Sequence, residues 1–289
     1  MIQGGEATGY TIVETMIFLA VTAMLFISAL SLISGRQAGV QFAQATRDAQ
    51  SKLQDIINQV SSGFYPNGDG FSCTVAGTSG PALDLSTPKA QGTSDDCVFL
   101  GKVVELGVGT DQDGYNVVSV AARRLNTSGL EVNSLAQAKP TAIALKSAAD
   151  TNTPDVTDKS VFQYGLKVTR VTVPATATTP GPNYGAIAFL GSFPSGAQTN
   201  LTSGAQHVNF GAVPGTTLNQ DYYQSILAIN AITDAAGYTD TLMSPDASLA
   251  NGIVVCLSDG GSRKAWLTIG GNVTNTTVRL DIGSSTICP

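Results

Sequence analysis

From Thr15 to Gly35 the chain carries no ionisable side chain for 21 residues, in the run TMIFLAVTAMLFISALSLISG. Nothing else in the sequence narrows the fold as sharply. Wound as a helix at about 1.5 Å per residue, the run is roughly 31 Å long and matches a hydrocarbon core of about 30 Å. A transmembrane helix is therefore expected here. The competing reading, a secretory signal peptide, calls for a basic leading region, a shorter apolar stretch and a small-residue cleavage site after it. The eight residues before Gly9 contain no Lys or Arg, and Ser34-Gly35-Arg36-Gln37-Ala38-Gly39 behind the run forms no A-x-A pattern.

Ahead of the run, Met1-Ile2-Gln3-Gly4-Gly5-Glu6-Ala7-Thr8-Gly9 is a short hydrophilic leader, followed by Tyr10-Thr11-Ile12-Val13-Glu14. In this order the segment resembles the class III signal of type IV pilins and pseudopilins. The resemblance implies that a prepilin peptidase cuts between Gly9 and Tyr10 on the cytoplasmic side. It implies further that the new amino group of Tyr10 is N-methylated and that Glu14 serves filament assembly. The partners it implies are other pilin subunits and an inner-membrane assembly platform. The chain would be a single-pass cytoplasmic membrane protein before assembly, then part of an extracellular pilus or pilus-like filament.

The carboxylate has a physical reason to need a partner. An acidic side chain carried to the centre of a bilayer costs about 2.5 to 3.5 kcal/mol. Cleavage after Gly9 would create an ammonium on Tyr10, and on a neighbouring subunit shifted along a filament it could pair with Glu14 among packed apolar helices, where screening is weak. Only one stagger satisfies both charges, so the pair would set axial register. The simpler alternative places Glu14 at the membrane interface in the first helical turn, favoured by the helix dipole.

Beyond Arg36 the apolar residues Val40, Ala43, Ala49, Leu53, Ile56, Ile57 and Val60 recur near helical spacing, with Arg47, Asp48, Lys52, Gln54 and Asp55 on other faces. One long helix from Thr11 to about Val60 is expected, apolar all round in its first half and amphipathic in its second, ended by Ser61-Ser62-Gly63 and Pro66. Gly35 and Gly39 read as a bendable point, or less readily as a G-x-x-x-G helix contact. The expected organisation is a leader at 1–9, an apolar helix at 10–35, its amphipathic continuation at 36–60 and a β-rich extracytoplasmic domain at 61–289. The fold class is α+β and pilin-like, a long amino-terminal helix packed on an antiparallel sheet.

Charged residues make up only 12% of the chain, so its polarity comes from 32 Thr and 25 Ser, alongside 31 Gly. That mixture favours strands joined by turns. Strands are expected at Cys97 to Leu106, Tyr115 to Ala121, Val161 to Val173, Gly185 to Leu190, Ile253 to Leu257, Ala265 to Ile269 and Thr277 to Ile282. Phe162, Tyr164, Leu166 and Val168 alternate with Gln163, Gly165 and Lys167, the period of a half-buried strand. Asp259-Gly260-Gly261 and Gly270-Gly271-Asn272 read as the two reversals of a carboxyl-terminal meander. Asp150 to Ser160, Pro174 to Asn183 and Phe193 to Gly215 read as loops, and Tyr222 to Asp234 fits helix or strand.

Four cysteines, Cys73, Cys97, Cys256 and Cys288, follow the apolar run, and three pairings are possible. Proximity favours Cys73 with Cys97 and Cys256 with Cys288. Disulfides imply an oxidising, extracytoplasmic setting. A cysteine beside the carboxyl terminus, tied to a preceding meander, is also similar to the end of many pilin-like proteins.

Enzymatic function is not expected. With one His there is no multi-histidine metal site, and neither G-x-S-x-G nor a GxxxxGK[ST] phosphate loop occurs. His207 reads as a loop residue rather than a general base. Asp111-Gln112-Asp113-Gly114 is similar to the start of a calcium loop, but Ala122 stands where a bidentate Glu is needed, so a turn is expected. Asp95-Asp96 reads as a solvated face. No metal or cofactor is expected, and the net charge of -6 gives no basic field for nucleic acid. Two readings remain. One is a structural filament subunit, large enough to suggest a minor or tip pilin with a role in adhesion, motility, DNA uptake or secretion. The other is a single-pass, membrane-anchored surface-binding protein that never polymerises.

Overall fold

The structure is a computed structural model; the residues described are 11–62, 72–75, 80–84, 96–107, 112–132, 135–139, 141–142, 158–176, 178–191, 208–214, 251–272 and 275–288. The expected leader at 1–9, Tyr10, Gly63, Pro66, Asp95, Asp111, His207 and Tyr222 to Asp234 lie outside them. The fold is α+β, an apolar amino-terminal helix continued by a helical segment that packs on antiparallel sheets. Helix α1 runs from Ile12 to Ser61, hydrogen-bonded through both Gly35 and Gly39. The chain divides into two units, Met1–Gln44 and Ala45–Pro289, and α1 contributes residues to each.

In the first unit, every side chain from Thr11 to Leu30 is exposed, Ile12 to 80% and Met24 to 75%. This stretch is long and apolar enough to cross a membrane. An exposed apolar surface all around a helix lacks any reason to persist in water, since soluble monomers keep such patches to a few hundred Å². Thr15, Thr22 and Ser28 add no unsatisfied polarity: their hydroxyls donate to the carbonyls of Ile12, Phe18 and Met24 at 2.8, 2.8 and 2.9 Å. Such back-bonding hides a hydroxyl within its own helix.

In the second unit, Ala45, Thr46, Ala49, Leu53, Ile56, Ile57 and Val60 of α1 are buried. The 3.6-residue period gathers them into one stripe. Strands β1 (Ser72–Val75) and β2 (Pro81–Asp84) form a small hairpin. Strands β3 (Cys97–Leu106) and β4 (Gly114–Arg123) lie at the centre of a larger antiparallel sheet. On one side β3 pairs with β8 (Tyr184–Gly191), which pairs with β9 (Val208–Pro214). On the other side β4 takes two short partners along the same edge, β5 (Thr141–Ala142) and β6 (Asp158–Val161).

Both faces of this sheet are covered, and all ten residues of β4 are buried. Tyr115 and Lys102 mark the helix side: Lys52 sits 5.6 Å from the Tyr115 ring centre, and Lys102 donates to the Gln59 side chain. Lys52 also pairs with Asp48 at 3.1 Å. The opposite face carries Val103, Val118, Val120, Ala186 and Ala188, packed with Ala138 of the short helix α2 (Leu135–Ala138). That double burial explains why β3 and β4 carry apolar residues at both parities, as in Val103-Val104 and Val117-Val118, rather than in clean alternation.

A second antiparallel sheet has the order β12 (Asn275–Ile282), β11 (Lys264–Asn272), β10 (Ile253–Ser258), β7 (Lys167–Thr172). Gln50 of α1 donates to the Val278 carbonyl at 2.8 Å, so the helix touches this sheet as well. The two disulfides are Cys73–Cys97 and Cys256–Cys288, with Cα separations of 5.9 and 5.4 Å. The first ties the β1–β2 hairpin to β3. The second draws the carboxyl-terminal segment onto β10, where Cys256 and Cys288 pack with Val254, Trp266 and Ile287.

Four expectations need correction. Val161 to Val173 is not one strand: a 3-10 turn at Gln163–Gly165 separates β6 from β7, with Tyr164 at φ 54° and Gly165 at φ 68°. Two successive residues with positive φ reverse the chain, and the apparent alternation conceals it. Phe162 is held instead by a ring contact with Tyr115, centroids 4.8 Å apart. The expected loop Phe193 to Gly215 contains β9, and Asp150 to Ser160 contains the start of β6. Gly270, Gly271 and Asn272 do not form the reversal but pair with Thr277, Thr276 and Asn275, so the chain turns beyond them.

Candidate functional site

The amino-terminal turn of α1 concentrates the chemistry that the sequence singles out. Thr11 stands just outside the helix and Glu14 is its third residue. The Thr11 backbone N–H and hydroxyl each donate to Glu14 Oε2 at 3.0 Å, while the Glu14 N–H donates back to Thr11 Oγ1 at 3.3 Å. This is a reciprocal capping box, which satisfies donors that the first helical turn leaves without partners. Threonine followed three residues later by glutamate, immediately ahead of an apolar run, is the sequence signal for such a box. The box adds Thr11 to the site, a residue to which the family resemblance assigns no role.

Glu14 is fully exposed, as are Ile12, Val13, Met16 and Ile17 around it. The site therefore combines an acidic group held by a local network with an apolar surface that has no covering within the first unit. Such a surface suits lipid or other apolar helices, and a carboxylate among them suits a cation. Gly9 and Tyr10, the expected processing pair, lie outside the described residues.

Elsewhere the structure distributes the remaining candidates without gathering them. Gln112 and Asp113 form a turn entering β4, and their backbone carbonyls accept the N–H groups of Val168 and Phe162 at 2.7 Å each. Ala122 is buried inside β4, a strand position that folds into no calcium loop. Asp96 is exposed, and its carbonyl accepts the Arg124 N–H at 3.0 Å. Among the described residues no three His, Cys, Asp or Glu side chains converge as metal ligands.

A different set of polar residues is buried in the central sheet. Lys102, Glu105, Asn116, Ser119 and Arg123 are each at least nine-tenths buried. The cross-strand register puts Lys102 opposite Ser119 on the helix side and Glu105 opposite Asn116 on the other face. The Asn116 amide donates to Glu105 Oε2 at 3.2 Å. No motif announces these residues, because in a strand covered on both faces neither parity is reserved for polar groups. Comparison with protein-family models, curated proteins and solved structures finds no match.

Proposed function

We propose that the chain is a structural subunit of a type IV pilus or pilin-like filament, processed between Gly9 and Tyr10 and assembled through its apolar helix. One observation carries the reading: an apolar helical surface left exposed from Thr11 to Leu30, with a single carboxylate at its entrance. In the membrane, lipid covers that surface. In a filament, neighbouring helices cover it, and Glu14 meets the amino group of Tyr10 on an adjacent subunit. The β-rich unit, stapled by two disulfides, stands outside the membrane and forms the filament exterior. On this reading the partners are a prepilin peptidase, other pilin subunits and an assembly platform in the cytoplasmic membrane.

A second reading has its own support. The Thr11–Glu14 box gives the carboxylate a complete local purpose, and a non-polymerising membrane tether needs no more. Mass spectrometry of the mature amino terminus separates the two. A chain beginning at Tyr10 and recovered in sheared filaments supports the subunit; a chain with residues 1–9 attached and found only as monomers supports the tether.

A further inference from the structure

The two disulfides sit in different surroundings. Cys256 and Cys288 are 1% and 3% exposed, with Val254, Trp266 and Ile287 packed against them. Cys73 and Cys97 are only partly buried. The strand register places Arg123 directly opposite Cys97. Residues so paired share a face of the sheet, with Cβ atoms about 4.5 to 5.5 Å apart. Arg123 is 6% exposed, and its Nε is buried without a hydrogen-bond partner. Among the described residues no carboxylate pairs with it. A guanidinium withdrawn from water in this way is costly until an anion joins it.

We propose that the Cys73–Cys97 disulfide is a thiol-exchange site, at which a small external thiol attaches to Cys73 while Arg123 receives the Cys97 thiolate. In the step, the external thiolate attacks Sγ of Cys73 and a new S–S bond forms. The Cys73–Cys97 bond breaks, and its electron pair leaves on Sγ of Cys97. One disulfide replaces another, so no net oxidant or reductant is consumed. The β1–β2 hairpin loses its covalent tie to β3, while the Cys256–Cys288 bond stays closed.

Two features select this bond and this direction. Exchange requires that the attacking thiolate reach a sulfur, which the apolar packing around Cys256 and Cys288 obstructs. The sulfur that departs more readily is the one whose thiolate is better stabilised, and a neighbouring arginine stabilises it. The charges adjacent in sequence, Asp96 and Arg124, are exposed and opposite in sign. Lys102, further along the same face of β3, is a second buried cation. The inference holds for a filament subunit and for a tether alike.

Full-length chain in detergent micelles is incubated with reduced glutathione, trapped with an alkylating agent and digested without reduction for tandem mass spectrometry. The expected result is glutathione on Cys73 and the alkyl group on Cys97, formed before the Cys256–Cys288 peptide opens. Opening of Cys256–Cys288 first or at the same rate overturns the proposal, as does an adduct found chiefly on Cys97. Arg123→Met should slow exchange at Cys73 by about threefold to tenfold, and Arg123→Lys should restore it. A loosened fold would speed exchange instead, so an unchanged or faster rate in Arg123→Met removes Arg123 from the mechanism. In Cys73→Ser, alkylation of Cys97 against pH should show a midpoint below the ordinary thiol value of about 8.5, and a midpoint at or above it counts against the proposal.

Discussion

Thr11 and Glu14 close a ring of three hydrogen bonds at the entrance to α1: Thr11 donates twice to one carboxylate oxygen, and Glu14 donates back through its own N–H. On the proposed function, the same carboxylate pairs with a neighbouring amino terminus. Capping and pairing call on different properties of the side chain. Capping needs an acceptor oxygen, which glutamine also has, whereas pairing across subunits needs the charge.

Glu14→Gln therefore separates the two roles. We expect Glu14→Gln and Glu14→Ala to be made and inserted in the membrane equally well, and both to enter filaments poorly. Quantifying the chain in sheared-filament and membrane fractions checks this. Incorporation of Glu14→Gln at the wild-type level would mean that the charge is not used.

Gly101 occupies an irregularity in β3 where the register with β4 shifts. A Cβ there would collide with the Phe189 carbonyl oxygen and stand 2.8 Å from the Leu190 Cα, both backbone of the adjacent strand β8. Gly101→Ala should destabilise the β-rich unit by about 1 to 3 kcal/mol or more, as overpacking does. Gly261→Ala serves as the comparison, because its Cβ would meet only the Asp259 carboxylate, nearest atom 3.2 Å. Denaturant titration of both variants should show a clear loss for Gly101 and a smaller one for Gly261.

Each disulfide closes a moderate loop, with sequence separations of 24 and 32. Chain-entropy estimates give about 3 to 4 kcal/mol for either. Cys256→Ser combined with Cys288→Ser should lower the unfolding midpoint accordingly. It should also increase dye binding, since Val254 and Trp266 pack against the released segment. A midpoint unchanged under oxidising conditions would contradict this.

Two groups make stability sensitive to alkali. Burial opposes the charge on Lys52, but its partners Asp48 and Tyr115 outweigh that and raise its pKa above the ordinary 10.5. Burial raises the Tyr184 phenol above its ordinary 10.0. In both cases the folded protein binds the proton more tightly than the unfolded chain. The associated stability is therefore complete below the unfolded pKa and disappears as pH rises through the folded one. Unfolding midpoints should hold steady to about pH 9 and decline beyond about pH 10, and Tyr184→Phe should reduce the decline. A midpoint level through that range would contradict the assignment.

The parts of the fold legible in the sequence are those where one pattern dominates. The uncharged run and the stripe from Ala49 to Val60 give α1 to within a residue at each end. Cys97 to Leu106 is β3 as expected, because ten residues of mainly apolar character bounded by polar segments leave few alternatives. The pattern misleads where spacing is accidental. Phe162, Leu166 and Val168 are buried at even intervals, yet Tyr164 between them is exposed in a left-handed turn. Strands β5, β6 and β9 are short or embedded in polar sequence, and their pairing comes from β4 and β8 rather than from their own composition. At the helix entrance, the Thr-x-x-Glu spacing was readable as a box, but the buried row at Glu105 and Asn116 depends on register, which no single strand reveals.

The bond from Cys288 to Cys256 changes how the molecule answers a tug. Cys256 lies within β10, an interior strand of its sheet, whereas β12 is at the margin. A tensile load applied at the carboxyl terminus is transmitted straight to β10 and never unzips β12 from its neighbour. To yield, two flanking ladders of hydrogen bonds, to β7 and to β11, must slide together. Shearing many bonds at once resists far more force than peeling them one at a time.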